Sequence, residues 1–200
     1  MILERVVSGG QTGVDQSALR AARRLGIATG GWAPRGWRTL DGPAPWLAEF
    51  GLREHARENY GSRTAANVRD SDATVRIARS FCTPGERCTL RAIEKHKRPR
   101  LDVPLLHLEG HGLRVLYCDA DGERLREFLA ENRVRVLNVA GNSERSAPGI
   151  GALVEEFLLL VLARREMRYG VQGANYSPGT TPCPRCGRRS HCEHPARPAA

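Results

Sequence analysis

Two hundred residues, 40% of them hydrophobic, suffice for one ordinary domain and an appendage. The net charge is +9 but uneven: seven Arg and two Glu fall from Arg164 onward, which leaves the preceding body nearly balanced. No stretch approaches the ~18 apolar residues that span a bilayer, and the N-terminus lacks a charged-then-apolar signal pattern; a cytoplasmic protein with no membrane partner is expected.

The first predicted strand, Ile2 to Val7, runs straight into Ser8-Gly9-Gly10-Gln11-Thr12-Gly13-Val14-Asp15. A helix pattern follows, with Ala18, Leu19, Ala22 and Leu25 on one face and Gly26 as its stop. Strand, glycine turn and helix start together make an anion site, because the helix N-terminus leaves N–H groups unpaired and carries partial positive charge. The spacing G-G-x-x-G is neither a P-loop nor the dinucleotide fingerprint. A tight βα turn that binds nothing has the same sequence.

The next strand, Ile27 to Trp32, ends in Gly30-Gly31 and opens a long Gly/Pro-rich loop, Ala33 to Pro45, with Arg35, Trp37, Arg38 and Asp41. Loops of this length are often lids or binding loops. Trp32 and Trp37 suit either stacking on a planar ring or pinning the loop to the body. Arg57 to Arg69 reads as a weakly amphipathic helix and Ala73 to Ala78 as a strand. The loop Arg79 to Arg87 carries Gly85, and a helix is expected from Cys88 to about Lys97 with Leu90 and Ile93 inward. Asp70 and Asp72 precede a strand, so capping or turn closure is their expected part.

Arg100 to Leu108 and Leu113 to Cys118 both read as strands around Glu109-Gly110-His111-Gly112. A helix over Gly122 to Glu131 buries Leu125, Phe128 and Leu129, and Val134 to Ala140 is a strand that empties into Gly141-Asn142-Ser143-Glu144. The last helix, Ile150 to about Arg165, holds an apolar segment from Phe157 to Leu162. Such a segment is central to the core or part of a subunit interface.

This alternation predicts an α/β fold: a Rossmann-like, mostly parallel sheet with helices on both faces, over residues 1–165. Three strand ends finish in glycine-bearing turns, at Gly9/Gly10/Gly13, Gly85 and Gly141, and parallel sheets bind ligands at the carboxyl ends of their strands.

Residues 166–182 read as a flexible linker and 183–200 as a short zinc-knuckle-like, basic tail. Cys183 and Cys186 form a C-x-x-C turn, and Cys192 and His194 complete the preferred ligand set, with His191 as substitute. So small a unit would take its folding energy from the metal. A disordered tail with reactive thiols is the alternative, and Arg185, Arg188 and Arg189 leave room for a nucleic-acid or protein contact.

Several of these segments resemble the putative molybdenum carrier family, a circularly permuted branch of the Rossmann-like SLOG superfamily. They are Ser-Gly-Gly-Gln-Thr-Gly-Val-Asp (8–15), Gly-Gly-Trp (30–32), Pro-Arg-Gly (34–36), Asp-Gly-Pro (41–43), Asn-Val-Arg-Asp-Ser-Asp-Ala-Thr (67–74) and Leu-Asn-Val-Ala-Gly (137–141) with Glu144 and Pro148-Gly149. The resemblance implies a homo-oligomer that binds a phosphate-bearing small molecule, by name the molybdenum cofactor or a related pterin. Gly9, Gly10, Gln11, Thr12 and Gly13 would cradle the phosphate, and Asp15 would cap the helix or accept from a ligand hydroxyl. Arg35 would add positive charge, and Asn138, Gly141 and Glu144 would line the crevice.

SLOG relatives also bind nucleotides or cleave nucleoside monophosphates, so a nucleotide sensor or nucleotide-processing enzyme is the alternative. The phosphoribohydrolase pattern P-G-G-x-G-T-x-x-E, aligned on Pro84-Gly85, puts Ala92 where the catalytic glutamate belongs, and Glu86 would repel a phosphate at that turn. No Ser-His-Asp or Cys-His constellation can be assembled, so no catalytic residue is assigned. A nucleic-acid-associated adaptor acting through the tail is a third reading, which the nearly neutral body does not favour.

Overall fold

The computed structural model describes residues 3–105 and 119–163. Among the described residues, six parallel strands form the main sheet in the order β5-β2-β1-β8-β6-β7. In chain order these are β1 (Arg5–Val7), β2 (Ala28–Ala33), the small antiparallel hairpin β3 (Arg38–Thr39) and β4 (Gly42–Pro43), β5 (Leu52–Glu54), β6 (Ala73–Ala78), β7 (Arg100–Pro104) and β8 (Val136–Gly141). Helices α1 (Val14–Arg24), α2 (Tyr60–Arg69), α3 (Pro84–His96), α4 (Asp119–Glu131) and α5 (Ile150–Leu162) connect or follow them. The second strand expected before α4, Leu113 to Cys118, lies outside the described residues, as do the linker 166–182 and the Cys183, Cys186, Cys192, His194 cluster.

The chain starts in the middle of the sheet, works outward through β2 to β5, crosses to β6 and β7, and returns with β8 into the gap between β1 and β6. Val7 pairs with Asn138, and Thr74 with Asn138 on the other side, so these residues share one row across the sheet. Helices α1, α4 and α5 pack together, and α2 packs on α3. Ala18, Ala21 and Ala22 of α1 are small enough to bring that helix close to the sheet and to α5, and Glu155 of α5 pairs with Arg20 and Arg24 of α1 at 2.8 and 3.1 Å.

Most elements form where periodicity placed them; the start of α3 and the loop after β2 differ. Helix α3 begins at Pro84 rather than Cys88, because Thr83 caps it by accepting from the Glu86 amide and proline at the first helical position needs no N–H partner. The long loop after β2 is structured. A 3-10 turn (Arg35–Trp37), the β3–β4 hairpin and a second 3-10 segment (Pro45–Phe50) precede β5, a three-residue strand too short to read from alternation. Trp37 pins this loop, and Trp32 ties the end of β2 to the residue that follows α2. Trp37 packs on Leu19, Ala33, Ala44, Leu47 and Leu52, and Trp32 donates from Nε1 to Asp70 at 2.8 Å. Asp72 closes the start of β8 by accepting from the Arg135 and Val136 amides at 2.9 and 2.8 Å.

The apolar segment of α5 is mostly core: Phe157, Leu158 and Val161 are buried, whereas Leu160 is 58% exposed. Phe157→Ala should therefore cost about 3–5 kcal/mol of stability, and Leu160→Ala should stay within about 0.5 kcal/mol. Urea unfolding of the two variants checks this, and equal losses would contradict the placement of the helix.

Candidate functional site

A cavity of about 620 Å³ opens where β1, β8 and β6 end. It is lined from the first turn by Gly9, Gln11 and Asp15, and from α2 by Tyr60, Arg63, Thr64 and Asn67. The start of α3 supplies Thr83, Pro84, Gly85, Cys88 and Thr89, and β8 with its following turn supplies Asn138, Ala140, Gly141, Asn142, Ser143, Arg145 and Ser146. The glycine turns from three strand ends thus meet in one place.

Asn142 ties those ends together. Its Oδ1 accepts from the Arg79 and Ser80 amides at 3.0 and 3.2 Å, and its Nδ2 donates to the Ser80 carbonyl at 3.1 Å. Its own carbonyl accepts from the Val14 amide at 3.2 Å, and its amide donates to the Ile77 carbonyl at 3.3 Å. One side chain and its peptide therefore fix the ends of β8 and β6 to the start of α1. Gly141 leaves no room for a side chain, since a Cβ there would run into the Ile77 carbonyl.

The expected site residues divide. Gly9, Gln11, Asp15, Gly85, Asn138 and Gly141 line the cavity. Gly10 faces the Leu47 and Leu52 side chains with φ +74°, and Gly13, with φ +83°, sits against the backbone of 142–144; both shape the turn. Thr12 is buried beside them and its amide is taken by Gln11 Oε1 at 2.9 Å. The same Gln11 oxygen accepts from the Leu40 amide at 2.9 Å and so pins the tip of the β3–β4 hairpin to the cavity rim. Glu144 stands at the N-terminus of α5 and accepts from the Gly149 and Gly151 amides at 2.7 Å each. Arg35 is exposed on its 3-10 turn, away from the cavity lining.

The cavity presents two cations: Arg145, exposed on the turn after β8, and the largely buried Arg63, whose Nη1 donates to Asp15 Oδ2 at 3.2 Å. Sequence reading passed over Arg63, because a helical arginine in Arg57 to Arg69 looks like part of a solvated face. Asp15 also accepts from the Gln11 amide at 3.2 Å. Burial raises its carboxyl above the ordinary value, against the pull of Arg63.

Glu86 does not face the cavity. It turns inward from α3 toward Arg76 of β6, with Oε2 3.6 Å from Arg76 Nη1 and Oε1 3.5 Å from Asn142 Nδ2. Arg76 is buried and also grips Asp102 of β7 through Nε at 2.8 Å and Nη2 at 2.5 Å. The repulsion expected between Glu86 and an anion at this turn is thus softened by orientation and by Arg76. Ala92, where the hydrolase pattern has its glutamate, is buried against Val68 and Ile93.

Burial pushes the Glu86 carboxyl up to about 7; Arg76 opposes that shift, and Asp15 and Asp102 add to it. The folded state therefore holds a proton that the unfolded chain releases near 4.5, and stability from this group is lost as pH rises between about 4.5 and 7. Glu86→Gln should flatten that part of the stability profile and leave the protein more stable than the parent at pH 8, by on the order of 1–3 kcal/mol. Denaturant titrations at pH 5 and pH 8 read it directly; a variant that loses more stability at pH 8 than at pH 5 contradicts the assignment.

A crystal structure of a putative molybdenum carrier protein from Syntrophus aciditrophicus is similar to this chain, with 29% sequence identity and a TM-score of 0.69, covering 80% of this chain and 94% of that one. None of the curated proteins matches. The model of the circularly permutated YpsA SLOG family matches residues 6–162, a span that contains every residue lining the cavity. The chain belongs to the circularly permutated YpsA SLOG family.

Proposed function

We propose that the protein binds a phosphate-bearing small molecule in this cavity and carries or buffers it, with the molybdenum cofactor or a related pterin as the first candidate cargo. The observation that carries the reading is the convergence of three strand ends on one cavity of about 620 Å³. That volume lies in the range of small-molecule sites. The similarity to a protein named as a putative molybdenum carrier supports the choice of cargo.

The lining suits such a molecule. The first turn of α3 offers close backbone approach at a helix start, since a Cβ on Gly85 meets open space, and the Arg63 guanidinium covers Gly9 opposite it. Asn67 is committed to the Trp32 peptide through both its amide atoms, whereas Asn138 on the floor is held through its Nδ2, which donates to Thr74 Oγ1 at 3.1 Å. Tyr60 offers a ring edge for a planar group. In this proposal Gly9, Gln11, Asp15, Gly85, Asn138 and Gly141 meet the cargo, while Gly10, Thr12, Gly13 and Glu144 build the walls. We also propose zinc on Cys183, Cys186, Cys192 and His194, and assembly into a homo-oligomer.

Native mass spectrometry with elemental analysis on freshly purified protein tests both the cargo and the zinc. A Cβ on Gly85 meets open space, so Gly85→Trp fills the cavity without a clash at its base. A pterin-sized adduct with molybdenum should be present in the parent and lost in this variant, and zinc should approach one per chain. A nucleotide-sized adduct without molybdenum would replace the carrier reading with nucleotide binding. An adduct that persists in Gly85→Trp would place the site elsewhere.

A further inference from the structure

Two arginines are buried around the carboxyl ends of the strands, and they are satisfied very differently. Arg76 forms a two-pronged pair with Asp102, a second contact to Glu86 and a bond from Nη1 to the Glu86 carbonyl at 3.2 Å. Its donors are spent inside the protein. Arg63 has a side chain only 12% exposed, yet its ion pair is a single bond to Asp15 at 3.2 Å. Its Nε is buried with no acceptor among the described residues. Leaving such a donor unpaired costs about 1–3 kcal/mol, more for a charged group. A guanidinium placed this way in a cavity wall is short of acceptors.

The surroundings are cut to hold it there. Its guanidinium lies across Gly9 so closely that any Cβ on that glycine would coincide with it. Its carbon stands 5.8 Å from the centre of the Tyr60 ring. Asp15, at the start of α1, anchors one prong from below. Gly9 has no positive φ, unlike Gly10 and Gly13, so its backbone conformation does not itself call for glycine. It leaves space for an arginine brought in from α2, 54 residues later in the chain.

We infer that Arg63 is the anchor for the anionic group of the ligand, and that it receives a phosphate-type oxyanion between the Gly9 turn and the start of α3. This rests on the cavity being the binding site and deepens that reading by naming the group that selects a charged ligand over its uncharged counterpart. The chemistry follows from the fork. A guanidinium with free N–H groups in one plane matches two oxygens of a phosphate, and a lysine offers a point charge without that geometry. In a cavity of low dielectric the match is worth more than on the surface. Arg35, exposed and off the cavity, has no part in it.

The test uses the full-length protein with pyrophosphate as probe, by isothermal titration calorimetry at low salt. The parent should bind pyrophosphate saturably. Arg63→Gln should weaken binding at least tenfold, Arg63→Lys at least threefold, and Arg35→Gln less than twofold, with thermal melts to confirm folding; Arg63→Lys keeps the charge and decides the matter should Arg63→Gln fail to fold. Absence of binding to the parent, unchanged affinity in the Arg63 variants, or a loss that follows Arg35 instead would overturn the inference. Arg63-dependent pyrophosphate binding without any pterin adduct on the purified protein supports the anchor and removes the cargo. A pterin adduct retained undiminished in both Arg63 variants supports the cargo and overturns the anchor.

Discussion

The arrangement depends on where β8 enters the sheet. It is the last described strand, yet it lies between β1 and β6, so the turn that follows it must be stitched to turns made much earlier in the chain. Asn142 performs that stitching with both side-chain atoms and both peptide groups, reaching residues more than 60 positions away. Because the side chain is buried and hydrogen-bonded on both its oxygen and its nitrogen, it satisfies the amides of Arg79 and Ser80 that the end of β6 would otherwise bury unpaired. The opening between the first turn and α3 is set by this one junction.

Around the junction the protein has buried charge in two layers. The deeper layer, Arg76 with Glu86 and Asp102, is closed on itself and joins β6, β7 and α3. The shallower layer, Arg63 with Asp15, joins α2 to α1 and borders the cavity. Buried ion pairs are weak evidence for stability, since desolvation offsets much of the attraction. Their distribution is more telling than their number. The layer away from the cavity uses its donors internally, while the layer at the cavity wall leaves some unused.

The sheet, its parallel sense and the packing faces of the helices were legible because strands such as Ala73–Ala78 and helices such as Val14–Arg24 carry plain periodicity. The glycines at the strand ends were legible for the same reason, through their placement at element boundaries. What could not be read was contact between distant segments. Arg63 and Asn142 look like ordinary surface and turn residues until the fold sets one over Gly9 and the other between two strand ends. Arg35 and Glu144 looked like site residues from their loops, and the fold turned one to solvent and the other onto α5. The start of α3 was readable but missed: Thr83-Pro84 with Glu86 three residues after the cap is a helix-opening signal.

A crystal structure of the protein carrying the small molecule with which it purifies would test the central claim most directly. The account predicts density for that molecule in the cavity between Gly9, Gly85 and Gly141, with its phosphate against the first turn. A bound molecule seated elsewhere, with this cavity left empty, would contradict it.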